Sequence, residues 1–126
     1  MKNLNYILLV DDDKIANHYH KLLIKRNLNE NIPVKEAYDG KEALEFISQN
    51  ELPYLIFLDI NMPGMNGFEF LDSFKSFPNK EKAKIVMLTS SLNDKDKEKA
   101  YSYKEVDMFV NKPLHKLNFK SLLMQG

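Results

Sequence analysis

The chain has 126 residues, 44% of them hydrophobic and 29% charged; 18 basic and 18 acidic side chains balance to a formal charge of zero, and there is no cysteine. That length fits one domain with a substantial core and leaves no room for a second. The charge balance excludes bulk attraction to nucleic acid or anionic lipid, and the lack of thiols excludes disulfides, thiolate metal sites and a cysteine nucleophile.

In chain order, the first candidate strand is the apolar run Tyr6 to Val10, which ends on three consecutive acids, Asp11, Asp12 and Asp13. The residues ahead of it, Met1-Lys2-Asn3-Leu4-Asn5, do not read as a signal peptide, because the apolar run is short and stops at the aspartates. No stretch approaches membrane-spanning length, so the expectation is a cytoplasmic protein that touches no membrane. Ile15, Tyr19, Leu22, Leu23 and Arg26 then recur at helical spacing and predict one face of a first helix. His18 and His20, like His115 later on, show no ligand spacing and read as surface residues.

A second strand is predicted at Val34 to Ala37, followed by the turn Asp39-Gly40 and a helix carrying Leu44 and Ile47. Pro53 precedes a third strand, Tyr54 to Leu58, which delivers Asp59 into the turn-rich segment Ile60-Asn61-Met62-Pro63-Gly64-Met65-Asn66-Gly67. Phe70, Phe74 and Phe77 predict a third helix; together with Phe68 they are more aromatic than one buried stripe requires, which reads as partial exposure for a partner. The methionines Met62, Met65, Met87, Met108 and Met124 lack a single period and read as packing residues.

The fourth strand, Lys84 to Leu88, runs into Thr89-Ser90-Ser91. Asn93 is a good N-cap for a fourth helix, but only Ala100, Tyr101 and Tyr103 supply an apolar stripe, so that helix is predicted to be weakly anchored. A fifth strand at Met108 to Val110 leads to Asn111-Lys112-Pro113, and a last helix from about Leu114 carries Leu117, Leu122 and Leu123. Short apolar runs alternating with helical segments are the pattern of parallel strands joined by crossover helices. Five such units burying both faces of the sheet favour a doubly wound α/β three-layer sandwich, with its site beyond the strands' C-terminal ends. Every acid singled out lies on that edge.

If the first and third strands are adjacent, three carboxylates meet in one crevice. Two of them about 4 Å apart repel by roughly 4 kcal/mol at an effective dielectric near 20, and a divalent cation relieves this most simply. Mg2+ suits such a site, since it is held by a few carboxylates and carbonyls and keeps positions open for phosphate oxygens. A carboxylate beside it can attack a phosphoryl group in line to give an acyl phosphate. The hydroxyl and the cation such a site also needs stand at the ends of strands four and five, in Thr89 and Lys112.

The motifs Leu9-Val10-Asp11-Asp12-Asp13, Phe57-Leu58-Asp59-Ile60-Asn61-Met62-Pro63-Gly64-Met65-Asn66-Gly67, Met87-Leu88-Thr89-Ser90 and Val110-Asn111-Lys112-Pro113 closely resemble the receiver domain of the two-component response-regulator family, of the single-domain type typified by chemotaxis regulators. The resemblance covers essentially all of residues 1–126 and implies a single receiver domain with no output domain. It also implies a flavodoxin-like sheet of strand order 2-1-3-4-5 with five helices. By it, Asp59 is the phosphoacceptor for a histidine kinase or phosphotransfer protein. Asp12, Asp59 and the carbonyl of Asn61 hold Mg2+, with Asp11 acting mainly through a bound water. Asp13 caps the first helix, Lys112 pairs with the acids and then with the phosphoryl group, and the Lys112-Pro113 peptide is cis.

The same resemblance makes Thr89 the switch hydroxyl and Phe109, three residues before the lysine, its aromatic companion. Phenylalanine has no hydroxyl, so that switch is expected to work by packing alone. Asn61 and Ser91 stand where relatives tune hydrolysis, and small polar residues there imply a short-lived phosphoryl group. The implied output is binding through the fourth helix, fifth strand and fifth helix to a downstream protein the sequence does not name, by a monomer or a phosphorylation-dependent dimer. Two other readings stand beside it. Asp11-Asp12-Asp13-Lys14-Ile15 partly matches the loop of haloacid-dehalogenase-like phosphatases, with Asp11 as nucleophile, and the domain also suits a phosphorelay intermediate.

Overall fold

The computed structural model describes residues 5–124, with side chains through Ser121. Five strands, β1 (Ile7–Val10), β2 (Val34–Ala37), β3 (Leu55–Leu58), β4 (Lys84–Thr89) and β5 (Val106–Asn111), alternate with five helices. The helices are α1 (Lys14–Asn27), α2 (Gly40–Gln49), α3 (Gly67–Phe74), α4 (Asp94–Ser102) and α5 (Lys116–Met124), and a single 3₁₀ turn at Lys80–Lys82 precedes β4. All strand pairs are parallel, in the order β2-β1-β3-β4-β5. The expected doubly wound α/β architecture and strand order are therefore present.

Successive side chains of a strand point to opposite faces of the sheet, and here both faces are covered. Leu8, Val10, Ile56, Leu58, Ile85 and Met87 form one core with Ala43 and Ile47 of α2, Phe70, Leu71 and Phe74 of α3, and Ala100 of α4. Ile7, Leu9, Leu55, Phe57, Val86 and Leu88 form the other, with Ile24 of α1 and Phe119 of α5. Each large side chain fully enclosed there contributes about 1.5–3 kcal/mol. Phe68, Phe70 and Phe74 are all buried, and Phe77 lies partly buried beyond the end of α3. Phe68, Phe70 and Phe74 are thus core, and the partial exposure expected of the cluster is confined to Phe77.

The helices start where side-chain acceptors meet their free N–H groups. Asp13 accepts from Ile15 and Ala16, Asp39 from Glu42, and Asn93 from Lys95, while Asn66 and Glu69 form a reciprocal capping box on α3. Asp13 fills the expected capping role. Among the described residues, no helix is long and apolar enough to cross a membrane.

The first helix departs from the sequence reading. Ile15, Tyr19 and Leu22 are 83%, 49% and 52% exposed, Arg26 is exposed as well, and α1 buries Asn17, His20 and Ile24 instead. Loop backbone explains the inversion. The Asn17 side chain donates to the Asp11 carbonyl at 2.9 Å, and His20 Nε2 accepts from the Leu114 N–H at 3.4 Å, so polar groups face inward where enclosed peptide groups need partners. His20 is therefore a buried residue, although His18 and His115 are exposed as expected.

Strand β5 is longer than the apolar run suggests, because Asp107 belongs to it. The β4–β5 register shifts between Ile85 and Val86, and Asp107 Oδ2 accepts the Ile85 N–H there at 2.9 Å. A carboxylate thus takes up an amide near the irregularity. On α4 only Ala100 is buried, in keeping with the predicted weak anchoring. Leu117 of α5 is exposed, whereas the side chains of Leu122, Leu123 and Met124 lie outside the described residues.

Candidate functional site

Strand register alone brings two of the acids together. Val10 of β1 pairs with Leu58 of β3, so the next residues, Asp11 and Asp59, leave adjacent strands side by side. Their backbones continue the ladder, with Asp11 N–H donating to Ala37 O at 3.0 Å and Asp59 N–H to Val10 O at 2.9 Å. Asp12 follows on the loop, and carboxylate oxygens of Asp11, Asp12 and Asp59 all lie within 4.8 Å of one another. Asp11 and Asp59 are buried and Asp12 is exposed, so the group forms a crevice open on one side.

Each buried acid has fixed partners. Asp11 Oδ1 accepts the Asp13 N–H at 2.9 Å, and Asp59 Oδ1 accepts the Ile60 N–H at 2.8 Å. Their other oxygens share one cation, since Lys112 Nζ lies 2.5 Å from Asp11 Oδ2 and 3.3 Å from Asp59 Oδ2. Lys112 reaches them from the end of β5 and follows directly on that strand; its peptide to Pro113 is cis, as expected. One ammonium offsets only one of the three carboxylates, so negative charge remains for a further cation.

The electrostatics follow from enclosure. Burial lifts the Asp59 carboxyl above its ordinary value; Asp11 adds to the rise, and Lys112 and the Thr89 hydroxyl oppose it. For Lys112, burial works against the charged form, but the Asp11 and Asp59 carboxylates outweigh it and hold the ammonium above its usual value. Beneath them, burial and the nearby Lys112 charge push His20 below its ordinary value, against the opposing pull of Asp11 and Asp13. Oxygen donors clustered at this spacing with unbalanced negative charge suit a hard divalent cation such as Mg2+.

Thr89, at the tip of β4, is fully buried, and Phe109 on β5 is partly buried against the core under α4. Asn61 is exposed on the loop after β3, at the same edge as the acids. Gly67, the first residue of α3, closes that loop: its N–H donates to Ile60 O at 2.9 Å, and a Cβ on it would stand 2.3 Å from the Asp59 carbonyl oxygen. Only glycine permits so close a backbone approach.

Sequence reasoning missed the polar ties around Thr89. Ser91 Oγ donates to Asp96 Oδ2 at 2.6 Å, and Asn111 Nδ2 donates to Ser91 O at 2.7 Å. Residues 91 and 96 are five apart across a loop-helix junction, and 91 and 111 belong to different strand ends, so neither pairing shows in any periodicity.

A five-stranded parallel sheet of this order, with acids at the tips of its first and third strands and a lysine after the fifth, defines a class of signalling module. The family model of the response regulator receiver domain matches residues 7–123, and the chain belongs to that family. The crystal structure of a two component response regulator from Cytophaga hutchinsonii is similar with a TM-score of 0.85 at 30% identity, covering 99% of this chain and 100% of that one. The chain is 34% identical over 116 residues to the probable methanogenesis regulatory protein FilR2 of Methanothrix harundinacea, covering 86% of this chain and 72% of that protein. It is likewise 34% identical over 110 residues to a probable cyclic di-GMP phosphodiesterase of Vibrio cholerae serotype O1, covering 86% of this chain but only 23% of that longer protein. Receiver domains of this family serve phosphorylation-dependent signalling in two-component systems.

Proposed function

We propose that this chain is a phosphorylation-dependent switch in which Asp59 accepts a phosphoryl group from a histidine kinase or a phosphotransfer protein. The observation that carries the reading is the meeting of Asp11, Asp12 and Asp59 within 4.8 Å, with Lys112 bridging two of them. In the step itself, an Asp59 carboxylate oxygen attacks phosphorus as the phosphorus–nitrogen bond of phosphohistidine breaks, and the imidazole leaves with the bonding pair. Later attack by water on phosphorus breaks the new oxygen–phosphorus bond and releases inorganic phosphate.

Mg2+, held by Asp12, Asp59 and the Asn61 carbonyl with Asp11 acting through water, would neutralise charge on the transferring oxygens. This chain's own groups do the rest. Lys112 exchanges its resting contact with Asp59 for the phosphoryl oxygens, the Thr89 hydroxyl donates to them, and burial of Asp59 keeps competing water away. Ile15, Tyr19 and Leu22 are exposed on α1, which begins two residues after Asp12, and a protein phosphodonor would rest against this helix. Output runs through α4, β5 and α5, with Phe109 responding by packing. The location is cytoplasmic.

Treating the protein with Mg2+ and acetyl phosphate tests this. Wild type is expected to gain one phosphoryl mass and Asp59→Asn none. An adduct that survives in Asp59→Asn would point to Asp11 as nucleophile, the phosphatase reading.

A further inference from the structure

We propose that Asp96 on α4 and Asn111 at the end of β5 are positioning residues for phosphoryl acceptance, acting through Ser91 to hold the Thr89 hydroxyl towards Asp59. The proposal rests on the reading of Asp59 as phosphoacceptor.

A threonine hydroxyl has one proton to give and lone pairs to receive. Thr89 Oγ1 already accepts the Ser91 N–H at 3.2 Å, a local turn two residues long, which leaves the proton for an acceptor across the crevice. The orientation of that proton therefore depends on where Ser91 sits. Three contacts fix Ser91: its Oγ donates to Asp96 Oδ2 at 2.6 Å, the same Oγ accepts the Asn93 N–H at 3.3 Å, and its carbonyl accepts from Asn111 Nδ2 at 2.7 Å. Asn111 Nδ2 also reaches Thr89 O at 3.5 Å, and the Lys112 N–H donates to Thr89 O at 2.9 Å.

Apolar packing gives this loop little. Leu92 is 87% exposed, and Ser90 and Asn93 are exposed as well. Polar ties are what set its course, and the strongest is the one to a carboxylate, since hydrogen bonds with a charged partner exceed neutral ones. Asp96 lies in the first turn of α4, where the helix dipole favours a negative charge, so the anchor is itself secured. Neither Asp96 nor Asn111 touches Asp59. Asn111 clips the hydroxyl-bearing end of β4 to the lysine-bearing end of β5, and Asp96 ties the same loop to α4, so that both phosphoryl contacts are presented together.

The test is a titration of the Mg2+-saturated protein with beryllofluoride, a stand-in for the phosphoryl group on Asp59, followed by the amide resonances of Thr89 and Ser91. Asp96→Ala and Asn111→Ala are each expected to weaken beryllofluoride binding about tenfold, the loss of one good charge-assisted or doubly shared hydrogen bond, with Mg2+ affinity unchanged. Asp96→Asn, which keeps an acceptor for the Ser91 hydroxyl but not its charge, is expected to lose clearly less than Asp96→Ala. Asp94→Ala removes another first-turn acid of α4 without reaching Ser91 and is expected to change nothing. Ser91→Ala removes the bond to Asp96 together with the acceptor for the Asn93 N–H and serves if Asp96→Ala fails to fold; Asp96→Ala placed on top of it is expected to add no further loss. Wild-type affinity in Asp96→Ala, or an equal loss in Asp94→Ala or Asp96→Asn, would overturn the proposal. Failure of wild type itself to bind beryllofluoride would sink the Asp59 reading instead.

Discussion

The hydroxyl of Tyr101, in the last turn of α4, accepts the backbone N–H of Phe109 on β5 at 3.1 Å. β5 is an edge strand, and an edge presents peptide donors with no neighbouring strand to receive them. A half-exposed tyrosine therefore joins α4, which buries only Ala100, to the residue expected to move with Thr89. Tyr101→Phe keeps the ring, which lies 6.4 Å from that of Phe109, and deletes only this bond. The expected result is a loss of about 1 kcal/mol in urea unfolding and faster hydrogen exchange at the Phe109 amide, with sheet amides unchanged.

Gly67→Ala should damage stability and site together. Its Cβ would press on the Asp59 carbonyl and on Ile60 Cα, which are backbone atoms that cannot rotate away. A cost of about 1–3 kcal/mol is expected, with slower labelling by acetyl phosphate because the acceptor's own peptide is displaced. Unchanged labelling kinetics in a folded variant would show that the loop yields instead.

Asp59→Asn is expected to stabilise the metal-free protein, raising Tm by about 4 °C for roughly 1 kcal/mol of relieved repulsion and desolvation. The pH dependence has a definite sign. Burial raises the folded-state pKa of Asp59, so the folded protein holds this proton more tightly than the unfolded chain, and stability falls as pH rises from the ordinary carboxylate value through the raised one. Thermal melts across that window should show the fall in wild type and a flatter course in Asp59→Asn. Mg2+ affinity in wild type should weaken towards acid over the same range.

His20 carries the opposite sign. Its pKa is lowered from 6.5 by burial and by Lys112, so the unfolded chain takes up a proton that the folded one resists. Its contribution is intact above pH 6.5 and is lost as pH falls through the depressed value. His20→Gln keeps a side-chain acceptor for the Leu114 N–H and should lessen the acid-side loss of stability in denaturant titrations at pH 5 to 7. An identical slope in both proteins would place the acid sensitivity elsewhere.

The sheet was readable from the chain because five apolar runs are each followed by turn residues, and the acids at their tips needed only strand register to meet. Helix α1 was not. Ile15, Tyr19 and Leu22 face outward, while Asn17 and His20 share the inward positions with Ile24 and Leu23 and satisfy loop peptides there. β5 was cut short for a similar reason, since Asp107 in a strand looks like an ending until its bond to the Ile85 amide is seen. The acids, Thr89 and Lys112 stood out as types of residue at strand ends. Asp96 and Asn111 did not, because their part is defined by partners distant in sequence and not by period.

Ala100 is the one side chain of α4 that is fully enclosed. Sliding this helix uncovers little more than a methyl group, worth about 0.8 kcal/mol, whereas prising apart the sheet beneath it uncovers a dozen large residues. If Asp59 is the phosphoacceptor, a chemical signal of a few kcal/mol there would be comparable with that methyl group plus the Asp96–Ser91 and Tyr101–Phe109 bonds, and far too small to open the sheet.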